Sequence, residues 1–75
     1  MSGDYYSTSG DKYRLQNCSG ISETAAAVLV ACDDFDEPQW VPKSQIDEDS
    51  EVYAKDTEGT LIVSVWLARK KGWMK

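Results

Sequence analysis

At 75 residues the chain makes one small domain, because a polypeptide this short buries only about 60% of its unfolded surface and cannot support two cores. Hydrophobic types at 41% and charged types at 28% are ordinary globular usage, which argues against a wholly disordered, collagenous or membrane-embedded chain. Eight basic against thirteen acidic residues give a formal charge of −5, so the broad positive field that coats duplex nucleic acid is missing.

In chain order, residues 1–11 are rich in Ser and Gly and lack periodicity, as in a flexible tail; Tyr5 and Tyr6 there are an incidental exposed pair or a docking point. A single small domain is expected over residues 12–75. Tyr13 and Leu15 alternate with polar neighbours, which predicts a short edge strand over Lys12 to Gln16, and Asn17-Cys18-Ser19-Gly20 reads as a turn. Ala25 to Cys32 is the most apolar run; Val28 and Val30 favour a buried strand, while the three alanines leave helix as the alternative. Asp33-Asp34-Phe35-Asp36-Glu37-Pro38 reads as an acidic loop, and Gln39-Trp40-Val41 resumes an extended pattern that Pro42 ends, completing a first hairpin. A second acidic stretch, Asp47-Glu48-Asp49-Ser50-Glu51, leads into a second expected hairpin, in which Glu51 to Lys55 and Thr60 to Val63 flank a turn at Asp56 to Gly59. Ser64 is placed to cap a helix over Val65 to Lys71, with Arg69, Lys70 and Lys71 in its last turn, Gly72 at the left-handed end position and Trp73 packing back.

These elements predict a β-rich α+β fold, a small antiparallel sheet or partly open barrel of two hairpins with one short C-terminal helix. Because Ala25 to Cys32 is apolar on both alternating faces, the second face needs cover from the helix, a folded-over hairpin or a second copy in a homodimer. Trp40 and Trp66 are expected in the core, since so small a domain must use its largest side chains to offset ordering entropy. Trp73 divides between cap packing and an exposed anchor.

The chain has no His, no Cys-x-x-Cys, no phosphate-binding glycine loop and no Gly-x-Ser-x-Gly, so neither an enzyme nor a zinc site is expected. The acidic stretches lack EF-hand spacing, and no cofactor or metal is expected. Met1 to Gln16 contains no apolar run of the secretory type and no stretch is long enough to span a membrane, which leads us to expect a cytoplasmic protein without membrane association. In that compartment Cys18 and Cys32 are expected as reduced thiols, a single disulfide being the alternative.

Charge is segregated. Residues 33–51 hold eight acids and one base, a net −7, and residues 69–75 hold four bases and no acid. Solubility and helix-dipole complementarity account for part of this. One functional reading has Asp33, Asp34, Asp36, Glu37, Asp47, Glu48, Asp49 and Glu51 present carboxylates to a basic groove on a partner, imitating a phosphate track. The rival uses Arg69, Lys70, Lys71 and Lys75 with Trp73 as a backbone-and-stacking site for single-stranded nucleic acid.

The apolar strand run, the acidic turn, the string Trp40-Val41-Pro42-Lys43-Ser44-Gln45-Ile46, the strand start Gly59-Thr60-Leu61 and the closing Trp66-Leu67-Ala68-Arg69-Lys70-Lys71-Gly72 all lie between Thr24 and Trp73, a span of about two thirds of the chain. Thr24 to Trp73 thereby resembles small, mostly uncharacterised proteins encoded by phages, prophages and other mobile elements of bacterial or archaeal hosts. The resemblance carries no agreed activity and no catalytic residue. It implies a setting in which small proteins serve as accessory factors in replication and recombination or as inhibitors of host machinery. The expected function is a non-catalytic binding protein that engages a nucleic-acid-handling protein through acidic loops, as an inhibitor of a host defence or of a DNA or RNA enzyme. The alternatives are a single-strand-binding accessory domain and a structural subunit of a larger particle.

Overall fold

The computed structural model describes residues 12–74; the expected tail over residues 1–11 and Lys75 lie outside the described residues. Four strands, β1 (Lys12–Glu23), β2 (Ala27–Cys32), β3 (Gln39–Pro42) and β4 (Glu58–Ser64), are followed by one helix, α1 (Val65–Lys71). They form an open, wholly antiparallel sheet in the order β3-β2-β1-β4, the β-rich α+β architecture the sequence predicts. No helix among the described residues is long and apolar enough to cross a membrane.

β1 corrects the first expectation. It is a twelve-residue central strand, where the sequence predicts a short edge strand and a turn. Asn17, at φ 58°, sits where the register with β4 shifts between Leu15 and Cys18, and a second shift toward β2 falls between Gly20 and Ser22. These irregularities are β-bulges, which bend a strand and strengthen its twist while leaving its pairing intact on either side. Turn-forming residues therefore serve here as bends within a strand. The first half of β1 pairs with β4, as in Leu15 opposite Leu61, and the second half with β2, as in Gly20 opposite Val30; Cys18 and Ser19 pair with both.

The inner face of the sheet carries Leu15, Cys18, Val28, Val30, Val41, Leu61 and Val63, all nearly inaccessible to solvent. Leu67 and Ala68 of α1 and Val52 of the connection between β3 and β4 join this cluster. Gly20 permits the closure, because a Cβ there would overlap the Ala54 carbonyl, while its own backbone exchanges hydrogen bonds with Thr57 O (2.7 Å) and the Asp56 amide (2.8 Å).

The β2–β3 hairpin forms as predicted, and its companion is the β1–β2 hairpin, whose turn is held by Thr24: the Oγ1 accepts from the Ala27 amide (3.1 Å). The hairpin expected from Glu51–Lys55 and Thr60–Val63 does not form. Residues 46–51 instead lie along the free edge of β4, with Asp47 N donating to Ile62 O and Glu51 N to Thr60 O, which leaves that edge paired as an exposed edge is not. Thr57 Oγ1 accepts from the amides of Tyr53 (3.1 Å) and Ala54 (3.2 Å), so residues 53–57 close into a turn.

The α1 boundaries follow the sequence signals. Ser64 Oγ accepts from Leu67 N, and Gly72, at φ 77°, donates to Arg69 O while Trp73 N donates to Ala68 O, completing a Schellman end.

Two carboxylates clasp the connections. Glu23, at the end of β1, receives Lys43 Nζ (2.6 Å) and the Lys55 amide (3.1 Å); Asp47 receives Lys12 Nζ (2.8 Å) and the Asp49 amide (2.9 Å). The Lys43 ammonium holds the Glu23 carboxyl below its ordinary range, and Lys12 does the same for Asp47. Carboxyls depressed in the folded state contribute stability that is present above the unfolded carboxylate range and lost as pH falls through their folded values. Stability to urea is accordingly expected to hold from neutrality to about pH 5 and to fall below about pH 4. The doubly substituted E23Q/D47N protein should show a shallower acid limb, and an unchanged limb would remove both groups from the account.

Candidate functional site

The acidic loop Asp33–Pro38 leaves β2 immediately after Cys32, and its one aromatic residue turns back toward the body of the domain. Phe35 is half-buried and stacks on Trp73 with ring centroids 4.6 Å apart and planes inclined by 28°. Trp73 is held beneath it by the Schellman end of α1 and by Tyr13, whose hydroxyl donates to Trp73 O (3.2 Å). The loop is thus anchored at its centre, while Asp33, Asp34, Asp36 and Glu37 all stand exposed. Asp34, Asp36, Glu37 and Gln39 line an open cleft of about 390 Å³ together with Lys71 and the Phe35–Trp73 pair.

This juxtaposition changes the charge map. The sequence places acidic and basic regions far apart along the chain, but the fold sets Lys71 and Trp73 beside the first acidic loop. Trp73 takes the cap-packing role, and one of its faces is occupied by Phe35. Arg69 and Lys70 are exposed on α1, and Lys75 lies outside the described residues.

The second acidic stretch is divided in use. Asp47 and Glu51 are engaged in the fold, the latter with its Oε1 accepting from Thr60 N (2.8 Å), whereas Glu48 and Asp49 are exposed. The ion pairs among the described residues are Lys12–Asp47 and Lys43–Glu23, so none involves the first loop. No three Cys, Asp or Glu side chains among the described residues converge as metal ligands.

Two tryptophans depart from expectation. Trp40 is 46% and Trp66 59% exposed, so neither is a core residue. Trp40 shares a four-residue strand with Val41, and because neighbouring strand residues face opposite ways, burial of Val41 against Val28 turns Trp40 outward opposite Leu29. In α1 the buried pair is Leu67 and Ala68, which leaves Trp66, Arg69 and Lys70 on one outer face at i, i+3 and i+4. Lys70 Nζ lies 5.0 Å from the centre of the Trp66 ring, within cation–π range. Helical phase was the signal for Trp66: its spacing to Arg69 and Lys70 assigns it to the charged face.

In comparisons with known proteins, no family model matches the chain, and neither a curated protein nor a solved structure does.

Proposed function

We propose that the chain is a non-catalytic binding module whose β2–β3 loop presents Asp33, Asp34, Asp36 and Glu37 to a basic groove on a protein that handles nucleic acid. In the mobile-element setting that the sequence resemblance implies, such binding would occupy the groove and inhibit a host defence or a DNA or RNA enzyme. The observation that carries this reading is the anchored loop: four exposed carboxylates within five residues, unpaired with any described cation, on a segment pinned by Phe35 and Trp73. Pinning lowers the ordering cost of association, and a concentrated negative field steers encounter with a basic partner. Glu48 and Asp49 extend the acidic surface elsewhere on the domain.

A second reading has its own observation. Exposed Trp66 with Lys70 over its ring and Arg69 beside it offers the base-stacking and phosphate contacts of a single-strand site, with Trp66 in the stacking role expected of Trp73.

Charge reversal separates the two. The variant D33K/D34K/D36K/E37K is expected to associate with a partner captured from the host at least about tenfold more slowly than wild type, and the wild-type rate should fall as salt rises. Single-stranded DNA should displace that partner. R69E/K70E should leave capture intact. If labelled single strands instead bind at physiological salt, and binding survives loop reversal but is lost in R69E/K70E and W66A, the second reading replaces the first.

A further inference from the structure

Cys18 and Cys32 are fourteen positions apart in sequence and directly opposite each other in the fold, as register partners on β1 and β2. Residues so paired in an antiparallel ladder have Cα atoms about 4.5 or 5.5 Å apart, and both spacings fall within the range of about 4.4–6.8 Å that a disulfide spans. The side chains share a face as well: both thiols are free, and both Sγ atoms lie within hydrogen-bond reach of one acceptor, Gln16 O, at 3.5 Å from Cys18 Sγ, which is equally near Leu15 O, and 3.4 Å from Cys32 Sγ. The Gln16 carbonyl is presented to them by the bulge at Gln16–Asn17, the left-handed residue of β1. Their exposures differ. Cys18 is buried in the core cluster, while Cys32 is partly open at the end of β2, where the acidic loop begins.

We propose that Cys18 and Cys32 are a cross-strand dithiol that closes to an intramolecular disulfide when the protein meets a low-molecular-weight disulfide oxidant. Cys32 is the entry point. Its thiolate attacks one sulfur of the oxidant, breaking that S–S bond, forming a mixed disulfide and releasing one thiolate. Cys18, held opposite, then gives up its proton and attacks the Cys32 sulfur, forming the Cys18–Cys32 bond and expelling the second thiolate. The two protons pass to the two released thiolates, so two protein thiols are oxidised and one small disulfide is reduced to two thiols. Burial raises the Cys18 thiol well above its ordinary range, which makes it a poor first nucleophile and suits it to the intramolecular step, where proximity compensates. The bond would tie the first residue before the acidic loop to the central strand, and its formation does not depend on what that loop binds.

The test uses the whole native protein, reduced and then freed of reductant. It is incubated with oxidised glutathione, quenched with an alkylating agent and weighed intact. The expected product is lighter than the reduced chain by two hydrogens, resists alkylation at both cysteines, and melts roughly 5 °C or more above the reduced form, because the bond constrains the unfolded chain. C18A should stall as a glutathione adduct at Cys32, and C32A should react at least tenfold more slowly than C18A. A wild-type protein that ends as a mixed disulfide, as a disulfide-linked dimer or still reduced would overturn the proposal, as would closure that requires urea. Wild-type mass and melting decide the matter even where C18A fails to fold.

Discussion

Gly20→Ala is expected to destabilise the domain by about 3 kcal/mol or more, a large fraction of the roughly 4–11 kcal/mol available to a chain of this length. A Cβ on Gly20 meets backbone on one side, the Ala54 carbonyl, and Val28 Cγ1 at 3.3 Å on another, so no flexible side chain can yield to it. Relief requires the segment 54–57 to lift away, which breaks the hydrogen bonds from Gly20 N to Thr57 O and from Asp56 N to Gly20 O and draws Val52 out of the core. Gly72→Ala is the informative comparison, because its Cβ would meet nothing within 4 Å and only the left-handed backbone at φ 77° opposes it. That substitution should cost about 1 kcal/mol. Urea unfolding of the two variants tests the distinction; a Gly20→Ala protein no less stable than Gly72→Ala would mean that residues 54–57 do not press on the sheet as described.

Ser50→Ala should be the second costly change, at roughly 2–4 kcal/mol. Ser50 is the one polar residue buried among those described, and its hydroxyl donates to Val52 O (2.8 Å) while accepting from Ile62 N (3.0 Å). Removing the oxygen leaves an amide of β4 and a carbonyl of the connection without partners in a region water does not reach, and an unmade buried hydrogen bond costs more than a made one contributes. The hydroxyl also fastens the connection to β4 between the Asp47–Ile62 and Glu51–Thr60 bonds. Exchange of the Ile62 amide with solvent deuterium should therefore accelerate in Ser50→Ala beyond what the global loss of stability explains. Unaltered relative protection at Ile62 would assign the cost to packing alone.

The legible parts of this fold are those in which local signals act alone. β2 is fixed by β-branched residues in alternation, and α1 by Ser64, Gly72 and three cations in its last turn, so both appear where the residues place them. β1 defeats local reading because Asn17 and Gly20 are turn residues in isolation; only the demand for a bend beneath two different neighbours makes them strand residues. Residues 52–55 fail in the opposite sense. Their alternation suits a strand, yet Thr57 gathers the amides of Tyr53 and Ala54 into a turn, and β4 already has its edge filled by residues 46–51. The acidic loop was visible as composition; its anchorage was not, since the Phe35–Trp73 stack joins residues 38 positions apart. For the tryptophans, size argued for burial and periodicity against it, and periodicity prevailed because a four-residue strand and a two-turn helix each have one face to hide.

The staggered pairing of β1 also sets an order of assembly during synthesis. Its second half meets β2 across the short turn at Thr24, so β1, β2 and β3 can zip together from neighbouring residues as soon as they leave the ribosome. Its first half must wait for β4, with Lys12 opposite Ser64 and Leu15 opposite Leu61, and for α1 beyond it. Until β4 and α1 emerge, Val28, Val30 and Val41 face solvent on a half-built sheet, the sort of transient apolar surface that chaperones capture. A nascent chain stalled before residue 58 would carry the acidic loop but lack the Trp73 that anchors it, so the loop is pinned only once α1 and residue 73 have emerged.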